Sequence, residues 1–231
     1  MPYTFQAICF DLDDTLWPVQ PVIQYSERML HHWLSLHYPK MAQQFSIEQF
    51  YRMRQNLLQQ QPELKHNLAA LRKLSLMVAA KQVGYSENLV EPAFEVFQTA
   101  RHQVSFYQDV LPALEKLHGN YALCAVTNGT AEITKVGLGH LFEIGLTAGQ
   151  VGAAKPEPAL FLAICNYLEV CPTQIVHVGD DPICDVEGAA ALGMKTVWLN
   201  RQRKPWTGQH PPDRTIYSLS ELENILQIWE Q

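Results

Sequence analysis

Five short runs in this chain lack the polar alternation of a half-solvated strand: Phe5 to Phe10, Tyr121 to Val126, Ile144 to Thr147, Gln174 to Val178 and Lys195 to Leu199. Runs of this kind are strands buried on both faces, and a strand has two buried faces chiefly when helices cover a parallel sheet. Thr215 to Leu219 reads as a shorter sixth strand. The intervening segments have helical spacing. In DVLPALEKLHG, Leu111, Leu114 and Leu117 recur along a helix that Asp109 would cap and Gly119 would stop. KPEPALFLAICNYLEV opens on prolines and places Leu160, Ile164 and Leu168 on one face, DVEGAAALGM is short and stops at Gly193, and SLSELENILQIWE carries Ser220 and Glu223 at capping-box spacing. Strands alternating with helices predict an α/β fold built on a doubly wound, mostly parallel sheet.

Between Trp17 and Gln103 no strand is expected. Ile23 to His37 reads as a first helix. A second starts at the Ser46/Gln49 capping box and aligns Phe50, Met53, Leu57 and Leu58. A third aligns Leu68, Leu71, Ser75 and Val78 and stops at Gly84, and a fourth follows Ser86. Four helices with short connections suit a small bundle. The expected organisation is therefore a sheet domain of residues 1–16 and 104–231, with residues 17–103 as an all-helical insertion.

Charge narrows the choice of partner. The net charge is −6, and only RQRKPW, Arg201 to Trp206, gathers any of the 17 lysines and arginines. That argues against nucleic acid or an anionic membrane as partner, and the basic cluster reads as a solvated loop. There is no charged leader with an apolar core and cleavage site, and no apolar run nears the ~18 residues of a membrane span. The five cysteines include no C-x-x-C pair, and Cys9 and Cys124 fall in strand-like runs. Reduced, structural thiols in a cytoplasmic protein are expected. The oligomeric state is not legible.

The ligand edge of an open α/β sheet lies beyond the carboxyl ends of its strands. After the first strand come Asp11, Asp13, Asp14 and Thr15. After the second come Thr127, Asn128 and Gly129. Lys155 precedes the helix at Pro158, and Asp180, Asp181 and Asp185 follow the strand ending at Val178. Acids this crowded repel one another unless a cation sits among them. Mg²⁺ held by one or two carboxylates, a backbone oxygen and water fits, with Thr127 and Lys155 anchoring an oxyanion beside it. Anion, Mg²⁺ and a nearby carboxylate together point to phosphoryl transfer. A phospho-accepting receiver module also gathers Asp, Thr and Lys at strand ends, but it is about 120 residues long and has neither the helical insertion nor an acid two residues beyond its acceptor.

DLDDT, VTNG, KP and GDDPICD, in that order, resemble the four motifs of the haloacid dehalogenase superfamily, and the insertion after the first resembles that family's helical cap. The resemblance implies a Rossmann-like core, with Asp11 as nucleophile and Asp13 as general acid and base. It implies Mg²⁺ held by Asp11, the Asp13 carbonyl and Asp180, and phosphate held by Asp11, Thr127, Asn128 and Lys155. Asp185 is expected to pair with Lys155 or to reach the metal through water, with Asp181 as the alternative ligand. Asp14 and Thr15 are expected to close the turn.

Family members that act as dehalogenases lack the second Asp, because a halide leaves without a proton. Asp13 therefore favours a phosphatase for a small phosphomonoester, such as flavin mononucleotide, a nucleotide or a sugar phosphate. A phosphomutase and a non-catalytic phosphometabolite-binding relative remain as alternatives. Phosphonate hydrolysis would need a Schiff-base lysine from the insertion, where Lys65, Lys73 and Lys81 read as solvated. Trp17 either stacks on a substrate ring or packs where the insertion leaves the core. His66 and Arg72 either read a second polar part of the substrate or form a solvated helix entry. No two of the nine histidines have ligand spacing, so no histidine metal site is expected.

Overall fold

A computed structural model describes residues 4–231. It contains one six-stranded sheet, β1 (Ala7–Phe10), β2 (Ala122–Thr127), β3 (Ile144–Thr147), β4 (Ile175–Gly179), β5 (Lys195–Leu199) and β6 (Arg214–Ile216). The strand order is β3-β2-β1-β4-β5-β6, and every neighbouring pair is parallel. This is the α/β, doubly wound sheet expected from the apolar runs. The chain divides into two compact units. One is the chain up to Pro18 with Ser105–Gln231, and the other is Val19–Val104.

The helical unit contains α1 (Val19–His37), α2 (Pro39–Gln44), α3 (Ile47–Gln60), α4 (Leu68–Gln82) and α5 (Val90–Arg101). The sheet unit adds α6 (Val110–Leu117), α7 (Ala148–Val151), α8 (Ala159–Leu168), α9 (Gly188–Ala190) and α10 (Leu222–Glu230). Both faces of the central strands are covered. Ala7, Cys9, Cys124, Val126 and Ile175 pack with Leu160, Phe161 and Ile164 of α8. The alternate residues Ile8, Phe10, Leu123, Ala125, Val176 and Val178 are also buried, which is why these strands carry no polar alternation.

The helical unit has its own core, where Leu30, Leu34, Phe50, Leu76, Ala93 and Phe97 meet. The Ser46/Gln49 capping box forms as expected, and Gly84 stops α4 at a left-handed φ of 77°. Charge is buried here as well: Arg54 and Arg72 donate to the same Glu27 oxygen at 2.6 and 2.7 Å. The sequence pattern places Leu68 on the buried face, but it is exposed, and Val78 is half-buried. α4 buries Leu71, Ser75, Leu76, Ala79 and Ala80 instead.

Two local expectations fail for one shared reason. The Asp109 side chain does not cap α6. Its carboxylate accepts from Arg201 Nη1 at 3.0 Å, the Ser218 hydroxyl at 2.7 Å and the Leu219 N–H at 2.7 Å. The capping box near the C-terminus accordingly forms at Ser218 and Glu221, not at Ser220 and Glu223, and β6 ends at Ile216. Arg201 is thus no solvated loop residue. It pairs with Asp109, lies 4.0 Å from the Tyr107 ring centre and donates to the Thr15 carbonyl at 3.0 and 3.2 Å.

Burial works against the charge on Asp109, but Arg201, Ser218 and the Leu219 amide outweigh it and hold the carboxyl below its ordinary range. Its contribution is therefore present above the unfolded carboxyl range and is lost as acid protonates the folded form. Asp109→Ala strands three donors and is expected to cost about 2–4 kcal/mol at neutral pH. Urea unfolding checks this as a fall in midpoint at unchanged slope.

Candidate active site

Three neighbouring strands, β2, β1 and β4, end on polar residues at the same sheet edge. Asp11 continues β1 through its N–H to the Val178 carbonyl at 2.9 Å. Thr127 is the last residue of β2, and Gly179 is the last of β4, followed at once by Asp180. Asp11 alternates with Cys9 onto the sheet face that α8 covers, and Lys155 comes from the segment leading into α8.

Lys155 organises what these strands deliver. Its buried Nζ donates to Asp11 Oδ1 at 2.6 Å, Asp185 Oδ1 at 2.6 Å and the Val126 carbonyl at 3.1 Å. The Asn128 amide grips the Lys155 main chain reciprocally: Lys155 N–H donates to Oδ1 at 2.8 Å, and Nδ2 donates to the Lys155 carbonyl at 3.0 Å. Asn128, expected on phosphate, therefore uses its side chain to place the lysine. Thr127 is buried and its hydroxyl accepts from the Gly129 N–H at 2.9 Å.

Asp185 is held from three sides, by Lys155, by His177 Nε2 at 3.1 Å and by the Asp181 N–H at 3.0 Å. A Cβ on Gly179 would overlap its carboxyl, so only glycine lets Asp185 lie against the end of β4. Asp181 does not join it, because Asp181 Oδ1 caps the following turn by accepting from the Ile183 and Cys184 N–H groups at 2.8 and 2.7 Å. Of the two alternatives for supporting a metal, Asp185 is the one at the cluster. Asp11, Asp180 and Asp185 bring carboxylate oxygens within 4.8 Å of one another, a set that could hold a cation.

The turn after β1 is fixed by Thr15, whose hydroxyl reaches Asp11 Oδ2 at 3.0 Å and Asp180 Oδ1 at 3.4 Å. Asp14 takes a left-handed φ of 59° there. Asp13 has its side chain outside the three-carboxylate cluster, and its Oδ1 accepts from the Trp17 indole N–H at 2.9 Å. Trp17 is fully buried and meets Phe106 edge to face at 5.9 Å. Of the two readings of Trp17, the buried indole matches packing where the insertion leaves the core. His66 ends the 3₁₀ turn Pro62–His66, and Arg72 is committed to Glu27 inside the helical unit. His66 is half-buried, and Arg72 is held by Glu27 rather than solvated.

Sequence reasoning misses His177, one isolated histidine among nine. Its only sequence signal is its place two residues before Gly179, on the strand face that Asp185 folds back to meet. Sequence reasoning assigns Thr15 to the turn alone, and its second bond to Asp180 is invisible without the fold.

Electrostatically the cluster is short of positive charge. Burial, only partly offset by Lys155, pushes Asp11 up to about 7, and burial with the neighbouring carboxylates pushes Asp180 up to about 8. Burial opposes the charge on Asp185 too, but Lys155 and His177 outweigh it and hold that carboxyl far below the ordinary range. His177 is raised to about 9, with the Asp185 hydrogen bond overcoming burial. Folded Asp11 and Asp180 thus bind protons more readily than unfolded ones. The stability they lend is full below the ordinary carboxyl range and is lost as pH rises through 7 to 8. In a chelator, the wild-type Tm is expected to fall between pH 6 and 8.5, and Asp180→Asn to be more stable than wild type at pH 8.5 by about 1 kcal/mol. A Tm that rises across this range contradicts the charge balance.

A family model described as "Hydrolase: haloacid dehalogenase-like hydrolase" matches residues 5–193. The chain is 30% identical to 5-amino-6-(5-phospho-D-ribitylamino)uracil phosphatase YigB of Escherichia coli, over 95% of each chain. It is 27% identical to a glyceraldehyde 3-phosphate phosphatase of Methanopyrus kandleri, covering 96% of this chain and 97% of the relative. Among solved structures, a 2-haloacid dehalogenase from Pseudomonas syringae pv. tomato superimposes with a TM-score of 0.92 at 37% identity, over 98% of this chain and all of that one.

Proposed function

The chain belongs to the haloacid dehalogenase-like hydrolase family, and from that premise we propose that this hydrolase is a Mg²⁺-dependent phosphatase of a small phosphomonoester. The observation that carries the reading is Asp13, a carboxyl two residues beyond Asp11 and oriented by the Trp17 indole at 2.9 Å. An alkoxide leaving group needs a proton, whereas a halide does not. A positioned acid beside the nucleophile therefore favours ester cleavage over dehalogenation. Phosphatase activity in the Escherichia coli and Methanopyrus kandleri relatives supports it.

In this reading Asp11 attacks phosphorus in line. The Asp11–phosphorus bond forms as the ester oxygen leaves, and Asp13 gives that oxygen its proton. Asp13, now ionised, then takes a proton from the water that attacks the aspartyl-phosphate, which releases inorganic phosphate and restores Asp11. Lys155 supplies a fixed positive charge to the equatorial oxygens, and the Thr127 hydroxyl donates to one of them. Asp185, backed by His177, keeps the ammonium in place.

The residues present fit a divalent ion. The Asp180 carboxylate has only the Thr15 hydroxyl at 3.4 Å as a hydrogen-bond partner among the described residues, and burial raises both it and Asp11, as a missing cation would explain. Asp11, Asp180 and the Asp13 main-chain oxygen would hold Mg²⁺, which when bound would offset the charge of the nucleophile and phosphate. No helix among the described residues is long and apolar enough to cross a membrane, and a cytoplasmic metabolite ester is the proposed substrate. Ribityl phosphates, flavin mononucleotide, nucleotides and sugar phosphates are the first esters to try.

The test is phosphate release from such a panel, with 2-chloropropionate as the halide control. Mg²⁺-dependent release is expected, abolished by EDTA, lowered at least ~10³-fold by Asp11→Asn and ~10²–10⁴-fold by Asp13→Asn. Chloride release without phosphate release would make the protein a dehalogenase. Turnover surviving in Asp11→Asn would remove the nucleophile.

A further inference from the structure

The helical unit contains a cavity of about 580 Å³ where α1, α3 and α4 meet. Its apolar wall comes from Ile23, Ile47, Leu58, Leu68 and Leu71; Arg28 and Glu48 line it as one cation and one anion, and its buried charges are Glu27, Arg54 and Arg72. Tyr51 also lines it, and Tyr51 and Leu68 are 57% and 42% exposed at its opening. This is the size and composition of a small-molecule site: largely hydrophobic, with a few converging polar groups.

The charged wall does not balance. The Arg54, Arg72 and Glu27 side chains are only 10%, 12% and 9% exposed, and both guanidiniums donate to the one oxygen, Glu27 Oε1. Two permanent cations therefore share a single carboxylate. Of the five N–H donors on each guanidinium, the hydrogen bonds among the described residues use Nη2 of Arg54 and Nη1 of Arg72. Phe97 covers the face of Arg72 at 3.5 Å, which leaves that group its in-plane edge for hydrogen bonding. Burial pulls both arginines down, Arg72 to about 10, with Glu27 opposing the shift. The unused guanidinium nitrogens are not sealed inside the protein; both residues line the cavity, where an excess of positive charge favours an anion.

We propose that this cavity binds a small organic oxyanion, a carboxylate or phosphate on an apolar body. The oxyanion takes the unused N–H groups of Arg54 and Arg72, and the apolar body lies on the leucine and isoleucine wall. A planar guanidinium edge suits either oxyanion. The site does not rest on the phosphatase reading, since none of its residues belongs to the acidic cluster.

The test titrates the full chain, in EDTA to suppress turnover, with hexanoate, hexyl phosphate and inorganic phosphate, followed by calorimetry. Saturable binding of hexanoate or hexyl phosphate is expected, and the tighter of the two identifies the oxyanion. Arg54→Met, which leaves Glu27 paired with Arg72, and Leu68→Trp, which fills the cavity, should each weaken it at least tenfold. Should Arg54→Met fail to fold, Leu68→Trp at its exposed position decides alone. Binding that survives in the folded variants, binding of inorganic phosphate alone, or no saturable binding by wild type overturns the proposal.

Discussion

A single buried ammonium holds the acidic edge of the sheet together. Lys155 bridges Asp11 and Asp185, which are far apart in the chain, at 2.6 Å each. Two carboxylates this close repel each other in a low-dielectric setting; the shared cation keeps Asp185 charged and offsets part of the cost of burying Asp11. The surrounding structure serves the position of that nitrogen. The Val126 carbonyl takes its third proton, Asn128 grips its backbone, and His177 meets the same Asp185 oxygen that the ammonium does.

The parallel sheet makes this economical. Because all strands point the same way, their ends fall on one edge, so three adjacent strands deliver the Thr127 hydroxyl and the Asp11 and Asp180 carboxylates without long loops. Gly179 shows how closely the parts fit, since the Asp185 carboxyl occupies the space a side chain would need. The helical unit solves its own charge problem differently, with one glutamate shared by two arginines, and leaves positive charge over.

Much of this is legible in the sequence. The buried strands announce themselves through missing alternation, and the acidic residues through their place after strand ends. What escapes depends on contacts between distant segments. Asp109 has ideal chemistry for an N-cap, yet Arg201 and Ser218, roughly a hundred residues on, offer its carboxylate stronger partners. Arg54 and Arg72 stand at helical spacing from Phe50, Leu57, Leu68 and Ser75, on the inward faces, but only the fold shows the Glu27 carboxylate that both charges meet there. His177 looks like a core histidine, and it is one; its bond to Asp185 appears only when the chain folds back. Trp17 can be placed next to the acidic turn after β1 by sequence, but its burial cannot.

The Arg201 clamp bears on how the insertion is tolerated at all. Arg201 holds the Thr15 carbonyl and Asp109 together, and the Tyr107 N–H meets the Leu16 carbonyl at 3.0 Å. The outgoing and returning ends of an excursion of more than eighty residues are thereby stapled to each other within the sheet unit. Closing a loop costs entropy that grows only logarithmically with its length, and here the closure is maintained by bonds the excursion itself does not supply. Such a junction works as a socket: the sequence between Pro18 and Ser105 is free to lengthen, shorten or be exchanged over evolutionary time while the sheet keeps its register.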